Sequence, residues 1–558
     1  MMPGKRSYLL TIVIAFLMLV IVNGIAFVFH KRIDLTANQR YTLSEASKDR
    51  IREITSPVVI DVLLGGNVPH EFRTLQKETR YILEEFNTVN SAVKFNFTDP
   101  LKDEAIADET INQLQQLGIP PASVTREEGG KVSREFLFPW ALASYREKTV
   151  RVPLLKNKLG ATTEERITNS VQALEYAFTD ALVKLTLKER KKIAVLKGNG
   201  ELEDIYIADF LNTLRSYYDI APFTLDSVAV TPGKTLNELL EFQLVLIAKP
   251  TIPFTDKEKY VLDQYLLNGG KLLWLVDKVA VEIEDLYTKT GKTVALPRDL
   301  NIDDLFFTYG VRVNPVLVND LYFTQIVLAT GEGNSAQYNP VPWVYSPMVF
   351  PANTHAVNTN TEALRFQFAN AIDTLPNAIN KTILLSSSPL SKPVTAPVEI
   401  RLDIIGQQPD KATYTKGLMP MDVLLEGHFT SVFNNRVKPF TIPDVKTESV
   451  ATKFIVISDG DLIKNDLRNG QPLELGYDKW TNNFYGNKEF LLNCVNYLLD
   501  DTGVITIRSK ALRLAFLDSE KVARKKGFWQ FITIGGPIVL LLILGGLFQW
   551  YRKRNYAL

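Results

Sequence analysis

Two long apolar runs, one near each end of the chain, constrain the fold more than any other feature of the sequence. Residues 8–29 and 528–550 contain no charged side chain, and each has the roughly 20 residues that a helix needs to cross a bilayer. Trp529 and Trp550 lie at the ends of the second run, where interfacial aromatic residues settle. The alternative, two buried core helices, fits poorly with terminal runs that have basic flanks. The sequence therefore predicts two transmembrane helices with a large domain between them.

Basic residues flank both runs on both sides, so they do not decide which side of the membrane the central domain occupies. They are Lys5, Arg6, Lys31 and Arg32 around the first run, and Arg524, Lys525, Lys526, Arg552, Lys553 and Arg554 around the second. Residues 1–7 and 551–558 are short tails on the same side as each other. In the membrane-proximal segments 30–55 and 506–527, we expect Arg40, Tyr41 and the basic run 524–526 to lie near the lipid headgroups.

Composition excludes several classes of function. The net charge of +1 gives no indication of a nucleic-acid partner. A single cysteine, Cys494, excludes an internal disulfide framework and a cysteine-rich zinc site. Its surroundings, EFLLNCVNYLL, have the spacing of an amphipathic helix. We therefore expect a buried structural thiol rather than a nucleophile.

Residues 56–189 alternate between strand and helix patterns. PVVIDVLL and AVKFNFTDP are typical of strands, and residues 72–86 and 167–185 have apolar side chains at helical spacing. The predicted order βαβ, α, ββ, α is that of a thioredoxin-like domain. No C-x-x-C motif occurs in it, so the prediction concerns the scaffold and excludes thiol redox chemistry.

Residues 190–505 are predicted to form a second, doubly wound α/β domain of amidotransferase-like type. IAVLKG, FQLVLIAKP and KLLWLVDK are near-continuous apolar strands, as in the middle of a parallel sheet. KTILLSSSP and KFIVISDGDLI, far along the chain, are expected to complete the same sheet. The intervening segment, about 331–380, is predicted to be an insertion.

Few residues of this domain are candidates for a catalytic, metal or phosphate-binding site. Asp459 and Asp461 follow a strand in SDGD and are weak candidates for a metal site, because two acids at this spacing at the start of a turn are more often local caps. GNG at 198–200 is predicted to be a tight turn, because it lacks the longer phosphate-binding motifs. The four histidines share no ligand spacing. The sequence therefore predicts a protein that is not an enzyme, with no catalytic residues and no cofactor.

Two features are candidates for partner contacts. NPVPWVYSPMVFPANTH is predicted to be a stiff segment without regular structure that presents Trp343, Tyr345 and Phe350 to a partner; packing over its own domain is the alternative. In the second apolar run, small residues would let another membrane helix approach closely, or would only add flexibility beside Pro537. These small residues are Gly535, Gly536, Gly545 and Gly546.

Several stretches together resemble the GldG family, the gliding-motility-associated ABC transporter components of Bacteroidetes-type bacteria. The stretches are IDLTANQRYTLS, PFTDKEKYVLDQYLLNGGKLLWLVD, FIVISDGDLIKN and YGNKEFLLNCVNYLLDDTGVITIRSK. The resemblance implies a periplasmic domain held by two inner-membrane helices, working with a GldF-like permease and a GldA-like ATPase. No Walker A motif occurs here, so ATP hydrolysis would belong to a partner. The family contributes no catalytic residues.

The sequence and the resemblance together predict a non-catalytic periplasmic subunit of an ABC-type complex required for gliding motility or linked secretion. Residues 30–55 would set the angle between the anchor and the domain, with Thr42 or Ser44 starting a helix. One alternative is a membrane-tethered solute receptor, which requires a preformed polar cleft. Another is a degenerate amidotransferase-like enzyme, which the missing nucleophile disfavours.

Overall fold

The computed structural model describes residues 14–19, 42–128, 131–156, 159–187, 189–288, 290–330, 337–353, 355–359, 361–499 and 525–556. The chain divides into two compact units, Met1–Ala511 and Leu512–Leu558. The first unit contains an N-terminal region, a central sheet covered by helices and a group of small sheets.

The N-terminal region (residues 42–187) is built around a mixed sheet. Its helices are α1 (Glu45–Arg52), α2 (His70–Val89), α3 (Ala107–Gln116) and α4 (Thr163–Thr186). Its strands are β1 (Val58–Val62), β2 (Val93–Phe97), β3 (Ala122–Glu128), β4 (Lys131–Leu137), β5 (Trp140–Tyr145) and β6 (Lys148–Pro153). The sheet order is β2-β1-β5-β6, with β1 parallel to β2 and antiparallel to β5, and β6 antiparallel to β5. β3 and β4 pair as a separate hairpin.

The helices of this region form where the sequence supplies caps and one apolar face. The Ser44 side chain accepts a hydrogen bond from Ser47 N, which confirms Ser44 as a start signal for α1. Thr162 and Glu165 form a capping box at the start of α4. The rings of Phe86 on α2 and Phe178 on α4 meet edge to face with centroids 6.2 Å apart. One shared apolar core thus holds both helices.

The central sheet follows in the chain and is predominantly parallel. Its strands are β7 (Lys192–Lys197), β8 (Asp219–Thr224), β9 (Leu244–Ala248), β10 (Lys271–Leu275), β18 (Asn380–Ser386), β21 (Pro420–Gly427) and β22 (Thr452–Ile457). Their order is β18-β21-β22-β10-β9-β7-β8, and only the β18–β21 and β21–β22 pairs are antiparallel among these described strands. The predicted α/β class, completed by strands from distant segments, is confirmed.

Helices cover both faces of the central sheet because its strands are apolar on both. They are α5 (Asp204–Leu214), α6 (Pro232–Leu239), α7 (Asp256–Leu267), α8 (Asp303–Tyr309) and α9 (Asn487–Leu499). Leu246 and Leu273 share one core with residues of α5 and α9. Val245 and Trp274, pointing the other way, share a second core with residues of α6, α7 and α8. Every residue of β9 is buried, as expected for a central parallel strand.

The chain between β10 and β21, apart from β18, forms a group of small antiparallel sheets. The strands are β11 (Val279–Ala280), β12 (Lys292–Pro297), β13 (Val311–Asp320), β14 (Phe323–Thr330), β15 (Gln337–Val349), β16 (Leu364–Arg365), β17 (Asn370–Thr374), β19 (Ser391–Thr395) and β20 (Val398–Arg401). Within the described residues they pair as β11-β12-β20, β17-β13-β19 and β14-β15-β16. Short two-residue strands β23 (Leu467–Arg468), β24 (Gln471–Pro472), β25 (Tyr477–Asp478) and β26 (Asn483–Phe484) precede α9.

The prediction that the proline- and aromatic-rich segment lacks regular structure is wrong. Residues Gln337–Val349 form the strand β15, which pairs with β14. Pro340 and Pro342 are two residues apart, so their missing N–H groups lie on the same edge of the strand and need not interrupt the ladder with β14. The pattern of prolines therefore marks one edge of a strand rather than a loop.

The second unit is helical where it is described. Gly527–Arg554 is the one stretch of the described residues long and apolar enough to cross a membrane, with a mean hydropathy of 2.4 over its most apolar window. It contains α10 (Lys526–Gln530), a π-helical turn at Phe531–Gly535 and α11 (Gly536–Tyr556). Pro537 has no N–H to donate to the preceding turn, which accounts for the irregular hydrogen bonding there.

The predicted first membrane span falls largely outside the described residues. Residues 14–19 are helical and exposed, and the rest of 8–29 lies outside the described part of the chain. Arg40, Tyr41 and Arg524 also lie outside it. Lys525 and Lys526 are described and lie at the start of α10.

Candidate functional site

Charged residues follow three neighbouring parallel strands at the carboxyl edge of the central sheet. Ala248 at the end of β9 pairs with Leu275 at the end of β10, and Leu275 pairs with Ile457 at the end of β22. The residues that leave these strands, Lys249, Asp277 and the Asp459–Asp461 turn, are therefore brought together. Ligands of open α/β sheets bind at this edge, so it is the first place to look for a site.

Lys249 lies at the centre of the charges and is 3% exposed. Its Nζ atom is 2.7 Å from Asp461 Oδ1, 2.8 Å from Glu282 Oε2 and 3.6 Å from Asp277 Oδ2. Its backbone has a φ of 56°, in the left-handed region that a non-glycine residue rarely adopts. We call Lys249, Asp277, Glu282 and Asp461 the Lys249 cluster.

The electrostatics of the Lys249 cluster fix its protonation state. Burial alone would lower the pKa of the Lys249 ammonium, but the carboxylates of Asp461, Asp277 and Glu282 outweigh burial and raise it. Burial raises the pKa of Asp277, and the positive charge of Lys249 opposes that rise. A lysine held in its charged form by carboxylates is neither a nucleophile nor a general base at neutral pH. The cluster therefore has the chemistry of a structural clamp.

Asp459 and Asp461, predicted as metal candidates, are engaged by the protein. Asp459 Oδ1 accepts from Asp461 N at 2.7 Å and Oδ2 accepts from Gln367 N at 2.6 Å. Asp459 thereby caps the 3₁₀ turn Gly460–Ile463. Burial, with the nearby carboxylates of Asp277 and Asp461, raises the pKa of Asp459 well above its ordinary value. Within the described residues, no group of three histidine, cysteine or carboxylate side chains has metal-site geometry.

Two loops of the chain fill the crevice between β7 and β9. In chain order the parallel strands lie 2-1-3-4-5 across the sheet, which places the topological switch point there. Gly200 has a φ of +72°, and a Cβ atom at this position would lie 2.1 Å from Thr251 Oγ1. Thr251 N and Ile252 N both donate to Asn199 O at 2.9 Å. The GNG segment therefore makes a turn whose backbone the second loop covers.

A cleft of about 690 Å³ opens beside the Lys249 cluster, on the side of the small sheets. Its walls are formed by residues 283–288, by residues Gln325 to Ala329 of β14, and by residues 476–480. Asp461 lies in its lining, so the cleft and the cluster share a residue. The volume is in the range of ordinary ligand sites, about 300–1,000 Å³.

Aromatic rings and charged side chains line this cleft. Tyr338 and Trp480 stack with ring centroids 4.8 Å apart, and both are about half exposed, at 57% and 47%. Lys464 Nζ lies 3.7 Å from both Glu284 Oε1 and Asp461 Oδ1. The side chains of Arg365 and Asp466 also line the cleft. In the described part of the chain, neither has a hydrogen-bond or ion-pair partner for its charged group.

The other predicted site residues lie apart from this edge. Trp343 and Tyr345 are 0% and 7% exposed and belong to the core of the small sheets, so their predicted role as surface contacts is wrong. They are buried because β15 turns alternate side chains inward. Phe350, just after β15, is 53% exposed. Cys494 is buried in α9, and burial raises the pKa of its thiol well above the ordinary value.

The predicted glycines belong to the second unit. A Cβ atom at Gly536, Gly545 or Gly546 would meet no atom of the described chain within 4 Å. At Gly535 it would make ordinary contacts, 3.6 Å or longer, with the Phe531 ring. Larger side chains at these positions therefore cause no clash inside the helix itself.

Most residues of the Lys249 cluster and of the neighbouring cleft were not predicted from the sequence. Lys249, Asp277 and Glu282 were not predicted, although AKP, LVDK and SDGD each place a charged residue directly after an apolar strand. That shared position was the available signal, because parallel neighbours end at the same edge. Arg365, Tyr338 and Trp480 come from distant segments with no common pattern. They could not have been found without the fold.

Comparisons with known proteins give one family covering the second α/β region. A family model described as an ABC-type uncharacterized transport system matches residues 190–494, and a domain of unknown function (DUF7088) matches residues 37–144. No curated protein matches the sequence. A solved structure titled "mmIFT52 N-terminal domain" aligns with 15% identity and a TM-score of 0.31, over 58% of this chain and 100% of that chain. Because residues 190–494 are more than half of the 558, the chain belongs to the auxiliary family of this ABC-type transport system.

Proposed function

We propose that this chain is a non-catalytic subunit of an ABC-type membrane complex that acts in gliding motility or linked secretion. It is anchored in the bacterial inner membrane by two helices, with its main domain in the periplasm. It works beside a GldF-like permease and, through it, a GldA-like ATPase. The auxiliary family, the apolar helix Gly527–Arg554 and the resemblance to the GldG family support this assignment.

The observation that supports the non-catalytic assignment most is the arrangement of residues at the carboxyl edge of the central sheet. The place where a doubly wound sheet normally acts is closed by Asn199 and Thr251, and the neighbouring carboxylates are bound to Lys249. The one cysteine is buried, which disfavours a nucleophilic thiol.

The strand orders support the proposed domain types. The order β2-β1-β5-β6, with β5 antiparallel to its neighbours, is the order expected of a thioredoxin-like scaffold. The parallel order 2-1-3-4-5 is a common doubly wound order and is compatible with an amidotransferase-like ancestry. Both scaffolds serve many functions, so the assignment of function depends on the site and not on the fold.

Co-purification from detergent-solubilised native membranes tests the proposal. We expect the tagged chain to bring down a permease and an ATPase, and their absence would overturn the assignment to an ABC complex. The variant Gly545→Leu/Gly546→Leu tests whether the C-terminal helix makes the contact, because these glycines have open space around them. Leu541→Ile/Leu542→Ile is the matched control, since it keeps the apolar surface and the glycines.

Reporter fusions test the topology. A reporter active only in the periplasm, inserted after Thr330, should be active in the whole chain. A reporter active only in the cytoplasm should be silent at the same position. The opposite pattern would place the main domain in the cytoplasm and contradict the periplasmic assignment.

A second candidate function is that of a ligand-binding receptor within the same complex. The observation that favours it is the cleft of about 690 Å³, whose lining has exposed aromatic rings and two charged groups that have no partner among the described residues. Binding at the cleft is compatible with an accessory subunit, because a non-catalytic subunit can still recognise a segment of another protein.

A further inference from the structure

The strand β14 lies at the free edge of its sheet. Within the described residues the sheet order is β14-β15-β16, so β14 pairs on one side only. Soluble proteins normally protect such edges with prolines, charged side chains or covering loops. The sequence of β14, FTQIVLAT, contains neither a proline nor a charged residue. It is therefore an edge on which another strand could pair.

The register with β15 indicates which main-chain groups of β14 are free. Gln325 pairs with Pro342 and Val327 with Pro340. Antiparallel partners alternate between pairs that exchange two hydrogen bonds and pairs that exchange none, and proline has no N–H to donate. Pro340 and Pro342 therefore belong to pairs that exchange no hydrogen bonds with β14. Residues of β14 in such pairs point their N–H and C=O groups away from β15, so those of Gln325, Val327 and Ala329 are directed to the free edge.

This free edge lies inside the cleft. Five consecutive residues of β14, from Gln325 to Ala329, line it. Side chains of a strand alternate between its two faces, so an unbroken run of lining residues is expected when the cavity runs along the edge itself. Five residues of a strand extend about 16 Å at roughly 3.3 Å per residue, which is room for a short extended peptide.

The cleft lining around β14 offers contacts for the side chains of a bound segment. The Tyr338–Trp480 stack presents half-exposed aromatic surface at the end of β14 where Ala329 pairs with Tyr338. Arg365 offers an unpaired guanidinium and Asp466 an unpaired carboxylate, among the described residues. Both side chains line the cleft together with Tyr287. The lining thus combines main-chain pairing groups, apolar surface and one free charge of each sign.

We propose that the cleft binds an extended peptide segment of a partner protein, which adds to β14 as a further antiparallel or parallel strand. Main-chain hydrogen bonds to Gln325, Val327 and Ala329 hold the segment. An acidic side chain of the segment pairs with Arg365, a basic one pairs with Asp466, and an apolar one packs against the Tyr338–Trp480 stack. This rests on the ligand-binding candidate function and names its ligand class.

The test uses the purified full chain in detergent and a defined peptide set. The probes are N-acetylated, C-amidated octapeptides in which valine or threonine alternates with glutamate, lysine or tyrosine. We expect at least one peptide to bind with a dissociation constant below about 1 mM, measured by calorimetry. The same peptide with alternate amides N-methylated on its pairing edge should bind at least about tenfold more weakly, because it cannot complete the ladder.

Variants of the chain locate the binding edge. Val327→Pro removes the central N–H of the free edge, and proline is tolerated on an edge strand. It should lower affinity about tenfold, whereas Val327→Thr, which keeps the N–H group, should change it less than about threefold. Arg365→Gln should weaken only the glutamate-containing peptides. If Val327→Pro fails to fold, the N-methylated peptides still test the main-chain pairing.

Two results would overturn the proposal: no peptide of the set binds, or N-methylation of the pairing edge has no effect on binding. Co-purification with the permease is measured in the same preparations. Loss of peptide binding by Val327→Pro with normal co-purification leaves the accessory-subunit assignment intact. Failure of the wild-type chain to co-purify, with peptide binding intact, would contradict that assignment and not the cleft.

Discussion

The Tyr217 hydroxyl donates a hydrogen bond to the Asp180 carboxylate, at 2.8 and 2.9 Å from its two oxygens, and so joins the N-terminal region to the central sheet. Asp180 lies on α4 and Tyr217 follows α5, and both are less than a tenth exposed. Lys184 forms an ion pair with Asp180 at 2.9 Å and lies 4.7 Å from the centre of the Tyr217 ring. A groove of about 420 Å³ runs beside this contact. The two regions therefore meet through a partly buried polar contact.

Tyr217→Phe should weaken the coupling between the two regions. The variant removes a hydrogen bond to a charged group, which we expect to cost about 1.5–3 kcal/mol of the free energy of unfolding. The segment between Leu187 and Lys191 should then be cleaved faster by trypsin under native conditions. Tyr477→Phe is the control, because the Tyr477 hydroxyl bonds Asn482 in an exposed position. Equal cleavage rates for both variants would show that Tyr217 does not hold the regions together.

Lys249→Met should destabilise the chain strongly. Removing the ammonium leaves buried carboxylates without their counter-charge, which costs about 3–5 kcal/mol in comparable buried pairs. Lys192→Met is the matched control: its ion pair with Glu241 is half exposed, and such pairs contribute less than about 1 kcal/mol. Urea denaturation measures both. Similar losses in the two variants would contradict a clamp at Lys249.

The decrease in the free energy of unfolding caused by Lys249→Met should become smaller as the pH falls. Without the lysine, the carboxylates of Asp277 and Glu282 lose the positive charge that opposes the effect of burial, so their pKa values in the folded state rise further. Groups with a raised folded-state pKa bind protons on folding, and the fold therefore gains stability as the pH drops through that pKa. Unfolding at pH 5 and pH 8 should show a smaller difference from wild type at pH 5.

Asp422 gives a pH dependence of its own. It lies buried in β21, both of its carboxyl oxygens are without a hydrogen-bond partner in the described part of the chain, and burial raises its pKa well above the ordinary value. Asp422 therefore contributes most favourably to the free energy of unfolding at low pH. This contribution falls as the pH rises above the ordinary carboxyl pKa of about 4, by up to about 1.4 kcal/mol per pH unit. Asp422→Asn should remove this slope and make the chain more stable than wild type at pH 8. A parallel pH profile for the two proteins would contradict it.

Cys494 should be inert in the folded chain. Its burial and raised pKa leave little thiolate, so a maleimide should react only as fast as the chain unfolds. Cys494→Ala should cost about 1 kcal/mol or more through the small cavity it leaves. Co-purification with the permease should be unchanged when the variant accumulates normally. Fast labelling of the native protein would contradict a buried structural thiol.

Most of the correct fold prediction came from continuous runs of apolar residues. FQLVLIAKP, KLLWLVDK and KFIVISDGDLI predicted buried parallel strands because a strand covered on both faces needs no polar alternation, and β9, β10 and β22 are such strands. The prediction that the proline-rich segment lacks regular structure was wrong because it relied on local composition alone. Proline excludes a residue from the ladder only if its N–H is needed, and at Pro340 and Pro342 it is not. Local composition could not reveal which edge of β15 would be paired.

The candidate site was less predictable than the fold. The clamp at Lys249 draws on four places in the chain, each unremarkable by itself, and the partner of each charge depends on strand order. The cleft depends on loops such as residues 476–480, whose position follows from tertiary packing and not from any periodic pattern. Asp459 and Asp461 were found because both happen to lie in one short turn.

The distance along the chain between Lys249 and Asp461, 212 residues, gives the clamp a role during synthesis. A ribosome that has released Lys249 must translate almost the whole remaining domain before Asp461 emerges. Until then the Lys249 ammonium lacks one of its nearest counter-charges, and the carboxyl edge of the sheet cannot close. A chain that ends before Asp461 therefore cannot form this clamp, so the Lys249 cluster closes only when the sheet is nearly complete.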